Sequence, residues 1–184
     1  NRGLFNHLDA AVRQSLNPCE FFEAKLLEQQ QRHARFLDTA SNLEPNLKEN
    51  PGGLRDLQNI LWISRAMGLT GSWAQLVSES IITAEEARQI RRHEYLLENL
   101  RIRLHYLARR REDRLLFDYQ DALAEQYGLT GVAKGSKVQR KPSEQLMQRY
   151  YRTAKAISLF NEILLKTLRK RIFPADSQPA TPIN

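Results

Sequence analysis

From Asn42 to Asp56 the chain reads Asn-Leu-Glu-Pro-Asn-Leu-Lys-Glu-Asn-Pro-Gly-Gly-Leu-Arg-Asp, and here residue types and spacing could do chemistry. Gly52 and Gly53 let a ligand approach the backbone, and a helix starting at Leu54 offers N–H groups to an anion. Lys48 and Arg55 add positive charge. Together Lys48, Gly52, Gly53 and Arg55 form a candidate phosphate- or nucleotide-binding turn, with Glu44 and Asp56 as possible auxiliary carboxylates. The same atoms also fit a plain turn: Pro51-Gly52-Gly53 bends the chain, a helix begins, and Asp56 stabilises its first turn through the helix dipole. No Gly-Lys-Ser/Thr closes the segment, so it is not a Walker loop.

Other chemistry-bearing residues read more simply. His33, Trp62, Tyr150 and Tyr151 fall on or beside apolar stripes and are assigned to packing. Arg109-Arg110-Arg111 suits the C-terminal end of a helix dipole. Cys19 lies in a first helical turn, where a thiol pKa can fall, but no base accompanies it in sequence. No Asp-x-Asp pair occurs, and none of His7, His33, His93 and His105 precedes an aspartate. Clusters with zinc-ligand spacing are absent, and no metal site is assigned.

Helices must position these groups. Leucine, glutamine, glutamate, arginine and alanine dominate, while valine is confined to Val12, Val77, Val132 and Val138, so the expected class is all-α. Periodicity predicts helices over 4–16, 18–40, 54–67, a short one near Trp73, 84–111, 119–127 and 143–172. Asn17-Pro18 is a cap and first-turn pair, and Thr83-x-x-Glu86 is a capping box. Gly68 is expected to cap the helix from Leu54, Asp118 to open the helix at 119, and Ser143 to open the last. The long seams are Ile90, Leu97, Leu100, Leu104 and Leu107, then Met147, Tyr150, Ala154, Ile157, Asn161, Leu164 and Leu168. The expected architecture is a helical bundle with two long helices and a short extended Pro/Gly-rich connection. Its divisions are 1–40 (N-terminal helices), 41–56 (connector and turn), 57–173 (bundle) and 174–184 (a disordered tail or linker), with a mobile loop over 129–142.

The 184 residues carry 28 Lys+Arg against 21 Asp+Glu, a formal net charge of +7. That excess is arginine spread along helices, which describes a solvated face better than a nucleic-acid footprint. No apolar run reaches the roughly 18–20 residues that a membrane helix needs. A lone cysteine excludes an internal disulfide framework and fits the cytoplasm.

Several separated anchors resemble one family. They are Asn42-Leu-Glu-Pro-Asn-Leu-Lys48, Pro51-Gly-Gly-Leu-Arg-Asp56, Phe21-Phe22-x-Ala24-Lys25-x-x-Glu28-Gln29-x-x-Arg32-His33-x-Arg35, Arg114-Leu-Leu-Phe-Asp118 and Met147-x-x-Tyr150-Tyr151-Arg152. In this order, over residues 18–170, they are similar to the PII uridylyltransferase/uridylyl-removing enzymes. The resemblance implies a bifunctional parent that transfers UMP from UTP to the PII signal protein with Mg²⁺, removes it again, and responds to glutamine. It places this chain at the end of the nucleotidyltransferase domain and in the helical domain that follows. There it would cap the nucleotide site, link domains, bind no Mg²⁺ itself and be catalytically silent alone, since it lacks the Asp-x-Asp and His-Asp pairs. Two alternatives stay open: the helical domain of the related glutamine-synthetase adenylyltransferase, with its similar Gly-Gly-[Ile/Leu]-Arg-[Asp/Glu] turn, and a stand-alone basic helical module binding nucleic acid or an acidic protein.

Overall fold

A computed structural model of the chain describes residues 3, 4, 7, 8, 11, 15–36, 43–129 and 141–174. The expected helix over 4–16, the loop over 129–142 and the tail over 174–184 lie largely outside these residues. Among the described residues the chain forms six helices: α1 (Pro18–Arg35), α2 (Leu54–Ala66), α3 (Trp73–Ser78), α4 (Ala84–Ala108), α5 (Phe117–Gln126) and α6 (Pro142–Ile172). The all-α expectation holds. The extended element is one antiparallel bridge, Asn46 to Arg114, in which the Leu47 N–H donates to Asp113 O and the Leu115 N–H to Pro45 O, both at 2.8 Å.

The 31-residue α6 is the axis, in contact with α1, α2, α4 and α5. Met147, Tyr150, Ala154, Ile157, Asn161, Leu164 and Leu168 recur every three or four residues and are all buried, as the seam requires. α4 answers with buried Ala87, Ile90, Leu97, Leu100 and Leu104, while Leu107 is half-buried. Phe22 of α1, 1% exposed, meets Phe173 edge-on at 6.0 Å, which ties α1 into the same core beside the end of α6.

Helix ends follow local chemistry, with instructive exceptions. The Asn17 side chain accepts from the Cys19 N–H, and Pro18 takes the first helical position. Thr83 and Glu86 form the full reciprocal box. Met67 is the C-cap of α2, and Gly68 follows it at φ +86°. Asp118 and Ser143, however, lie inside α5 and α6, whose N-caps are Leu116 and Lys141. Pro142 explains the second case: its fixed φ starts the helix one residue earlier, and it has no N–H to satisfy. In the first case the capping oxygen comes from Glu44, whose carboxylate accepts the Phe117 N–H at 2.9 Å across 73 residues of sequence.

Candidate functional site

Residues 45–56 are a compact knot between α1, α2 and the strand-like segment before α5. Asn46 Oδ1 accepts the N–H groups of Lys48 and Glu49 at 3.0 and 2.8 Å, an Asx turn. Asn50 Oδ1 returns a bond to the Asn46 N–H, and Asn50 O accepts from Gly53. The first N–H groups of α2 then turn inward: Leu54 to Leu47 O, Arg55 to Lys48 O and Asp56 to Gly53 O. Gly52 donates to Asp56 Oδ2 at 2.8 Å. Every backbone N–H from Asn46 to Asp56, Pro51 aside, is thus satisfied within the chain. The expectation of free N–H groups at this helix start fails, because the connector's own carbonyls occupy the positions an anion would take.

The glycines face protein. Gly52 has φ +77°, and a Cβ on it would lie 2.8 Å from Ala154 Cα, with the Ala154 carbonyl closer still. A Cβ on Gly53 would lie 2.7 Å from Lys48 O. The pair therefore lets the turn seat against the backbone of α6 and close on itself.

Asp56 is fully buried and holds the knot to α1. Its Oδ1 accepts from Arg32 Nη2 at 2.8 Å and lies 2.9 Å from His33 Nε2; its Oδ2 takes the Gly52 N–H. Arg32 also donates through Nη1 to Glu49 O at 3.0 Å. One arginine thus clamps both the helix start and the turn, and a buried carboxylate needs such partners to stay charged.

Lys48 and Arg55, the candidate cations, come together around Glu49. Arg55 Nη2 lies 3.2 Å and Lys48 Nζ 3.5 Å from Glu49 Oε1, with about a fifth of each cationic side chain exposed. Arg55 is further fixed by Gln58 at 3.1 Å and stacks at 5.2 Å over Trp62, whose ring also meets Lys25 at 4.9 Å. Lys25 bonds Glu28 at 2.9 Å; burial alone would raise the Glu28 carboxyl, but Lys25, Arg32 and Arg55 hold it below its ordinary value. The site is therefore a set of side-chain cations on a rigid turn. Sequence spacing found Lys48 and Arg55 but missed Lys25, Arg32 and Glu49, which only the packing of α1 on α2 brings near.

No group of three or more His, Cys, Asp or Glu side chains that could hold a metal ion occurs among the described residues. The oxygens of Asp56, and the Oε1 of Glu44, already accept bonds from within the chain. This donor set does not fit a Mg²⁺ site. No helix among the described residues is long and apolar enough to cross a membrane.

A model of the GlnD PII-uridylyltransferase family matches residues 20–165. The chain is 52% identical over its 184 residues to the bifunctional uridylyltransferase/uridylyl-removing enzyme of Nitrosospira multiformis, covering all of this chain and 20% of that protein. It is 47% identical over the same span to the enzyme of that name in Cupriavidus pinatubonensis, of which it covers 21%. Over 157 residues, 85% of the chain, it is 54% identical to the one in Chromobacterium violaceum. The chain spans about a fifth of the length of these curated relatives. No solved structure matches it.

Proposed function

The chain belongs to the PII-uridylyltransferase family, and from that premise we propose that it serves as the helical domain of a bifunctional enzyme. That enzyme transfers UMP from UTP to the PII signal protein and removes it in response to glutamine. In this reading the chain caps one wall of the nucleotide cleft and joins the catalytic domains in the cytoplasm. Lys48 and Arg55 reach the triphosphate, neutralising charge that develops during transfer. Gly52 and Gly53 shape the turn that presents them, and Glu44 and Asp56 hold that turn in place. Mg²⁺ supplies charge neutralisation at the reacting phosphate and is held by the parent's other domains. The chain alone is catalytically silent.

The observation that carries this reading is the knot itself. A turn whose backbone N–H groups are all satisfied internally, clamped by Arg32–Asp56, displays two half-buried cations. Preorganised charge of this kind is what binding and transfer of a phosphate chain require. The test compares the chain alone with the same chain extended upstream through a nucleotidyltransferase domain, both given MgUTP and PII. UMP transfer by the extended protein, with none by the chain alone, is expected. Transfer by the isolated chain, or none by the folded extended protein, contradicts the reading.

A further inference from the structure

Three cationic side chains converge on Glu49, one of which, Arg32, is also paired with Asp56 and faces Glu28. Arg55 Nη2 and Lys48 Nζ approach its Oε1 at 3.2 and 3.5 Å, and Arg32 Nε faces its Oε2 at 3.7 Å. Arg32 is 7% exposed, and among the described residues its Nε has no hydrogen-bond partner; Glu28 Oε1, its other neighbour, stops at 3.6 Å. A buried guanidinium N–H left without an acceptor is costly, so a better acceptor has a driving force to enter. Beside it lies a crevice of about 350 Å³ lined by Glu28, Gln31, Arg32, Arg35, Phe36 and Glu49. The Glu49 backbone is pinned at both ends, its N–H to Asn46 Oδ1 and its carbonyl to Arg32 Nη1, so its side chain can swing away while the turn stays in place.

We propose that the Glu49 carboxylate is an internal stand-in for a phosphoryl group. A polyphosphate anion entering the crevice displaces it, takes Arg55 and Lys48, and gives Arg32 Nε the acceptor it lacks. Arg55 and Lys48, which share the Glu49 carboxylate, and the Arg32 Nε–H, whose guanidinium is otherwise paired with Asp56, are then matched to a group with three oxygens and up to two negative charges. This rests on the nucleotide reading above and adds to it a competitor for the triphosphate built into the turn. The device makes binding depend on ligand charge: the anion must outcompete the Glu49 carboxylate, and a nucleoside triphosphate, with more charge than a monophosphate, does so more readily.

The sign of one substitution tests it. Glu49→Gln keeps the shape and removes the competing charge. Inorganic tripolyphosphate titrated calorimetrically into this chain at low ionic strength is expected to bind Glu49→Gln about fivefold tighter than wild type, and Arg55→Ala at least about fivefold weaker. Glu125→Gln on α5 adds the same net charge and is expected to leave binding within about twofold. Weaker or unchanged binding by Glu49→Gln means that Glu49 orients its cations for some other purpose, and overturns the proposal. Equal tightening by Glu125→Gln reduces the effect to net charge and overturns it also. If Glu49→Gln folds poorly, the wild type decides: tripolyphosphate raises its melting temperature, the rise is absent in Arg55→Ala, and no rise at all refutes the site. Tripolyphosphate binding of the expected sign without UMP transfer by the extended protein would leave the phosphate site standing and remove the nucleotide function. Transfer lost on Lys48→Ala with no Glu49 effect would do the reverse.

Discussion

Asp56→Asn is the perturbation that the architecture weighs most heavily. The aspartate has no exposed surface and receives Arg32 Nη2 at 2.8 Å, His33 Nε2 at 2.9 Å and the Gly52 N–H at 2.8 Å. Asparagine keeps one acceptor oxygen and the volume, but takes from an almost fully buried Arg32 its nearest counter-charge, leaving Glu28 and Glu49 at 3.6 and 3.7 Å. Removing one member of a buried pair typically costs about 3–5 kcal/mol, and the retained oxygen puts this case near about 3 kcal/mol. With a urea dependence of about 2–3 kcal/mol per molar for a chain of this length, the unfolding midpoint should fall by about 1–1.5 M at unchanged slope. Far-UV circular dichroism of this chain at neutral pH reads it directly. Combining Asp56→Asn with Arg32→Met should cost less than the sum of the two, with a coupling of about 1–3 kcal/mol. A loss under about 1 kcal/mol, or strict additivity, would refute the claim that this pair holds the turn to α1.

Two further outcomes follow from the geometry. Gly52→Ala combines a left-handed φ with a collision against the α6 backbone and should cost at least about 3 kcal/mol in thermal unfolding, whereas Gly68→Ala, at φ +86° with open space around it, should cost only about 1 kcal/mol; similar losses would contradict the close seating of the turn on Ala154. Burial alone would raise the Asp113 carboxyl, but hydrogen bonds from Arg101 and His105 hold it below its ordinary value. Its contribution to stability is therefore present above the unfolded-state pKa of about 3.9 and lost as pH falls through the lower folded value, so Asp113→Asn should flatten that acid limb of melting temperature against pH; an unchanged limb would assign it to other carboxylates.

The helices were legible because their apolar spacing and most of their caps are local properties. The seam from Met147 to Leu168 and the Thr83–Glu86 box needed nothing beyond neighbouring residues. The missed helix starts were those decided from a distance or by a ring: Glu44 caps α5 across 73 residues, and Pro142 overrides Ser143. The same division runs through the candidate site. Lys48, Arg55 and the two glycines stood out as a motif, but what they face depends on tertiary packing. Gly52 meets Ala154, the free N–H groups expected at Leu54 are consumed by residues 47–53, and Arg32 and Glu49 join only once α1 lies against α2. A turn that looked open to a ligand through its backbone has its N–H groups consumed, and what it leaves partly exposed are the Lys48 and Arg55 side chains.

Whether this turn forms a wall of the nucleotide cleft is decided by the steady-state kinetics of UMP transfer by the extended protein, wild type against Lys48→Ala. Among the described residues Lys48 Nζ pairs only with Glu49, so its loss should leave unfolding within about 0.5 kcal/mol of wild type. A cleft wall at Lys48 requires kcat/KM for UTP to fall by at least about tenfold in a variant that folds normally. Unchanged kinetics in that folded variant would make the turn a structural clasp with no part in the nucleotide cleft.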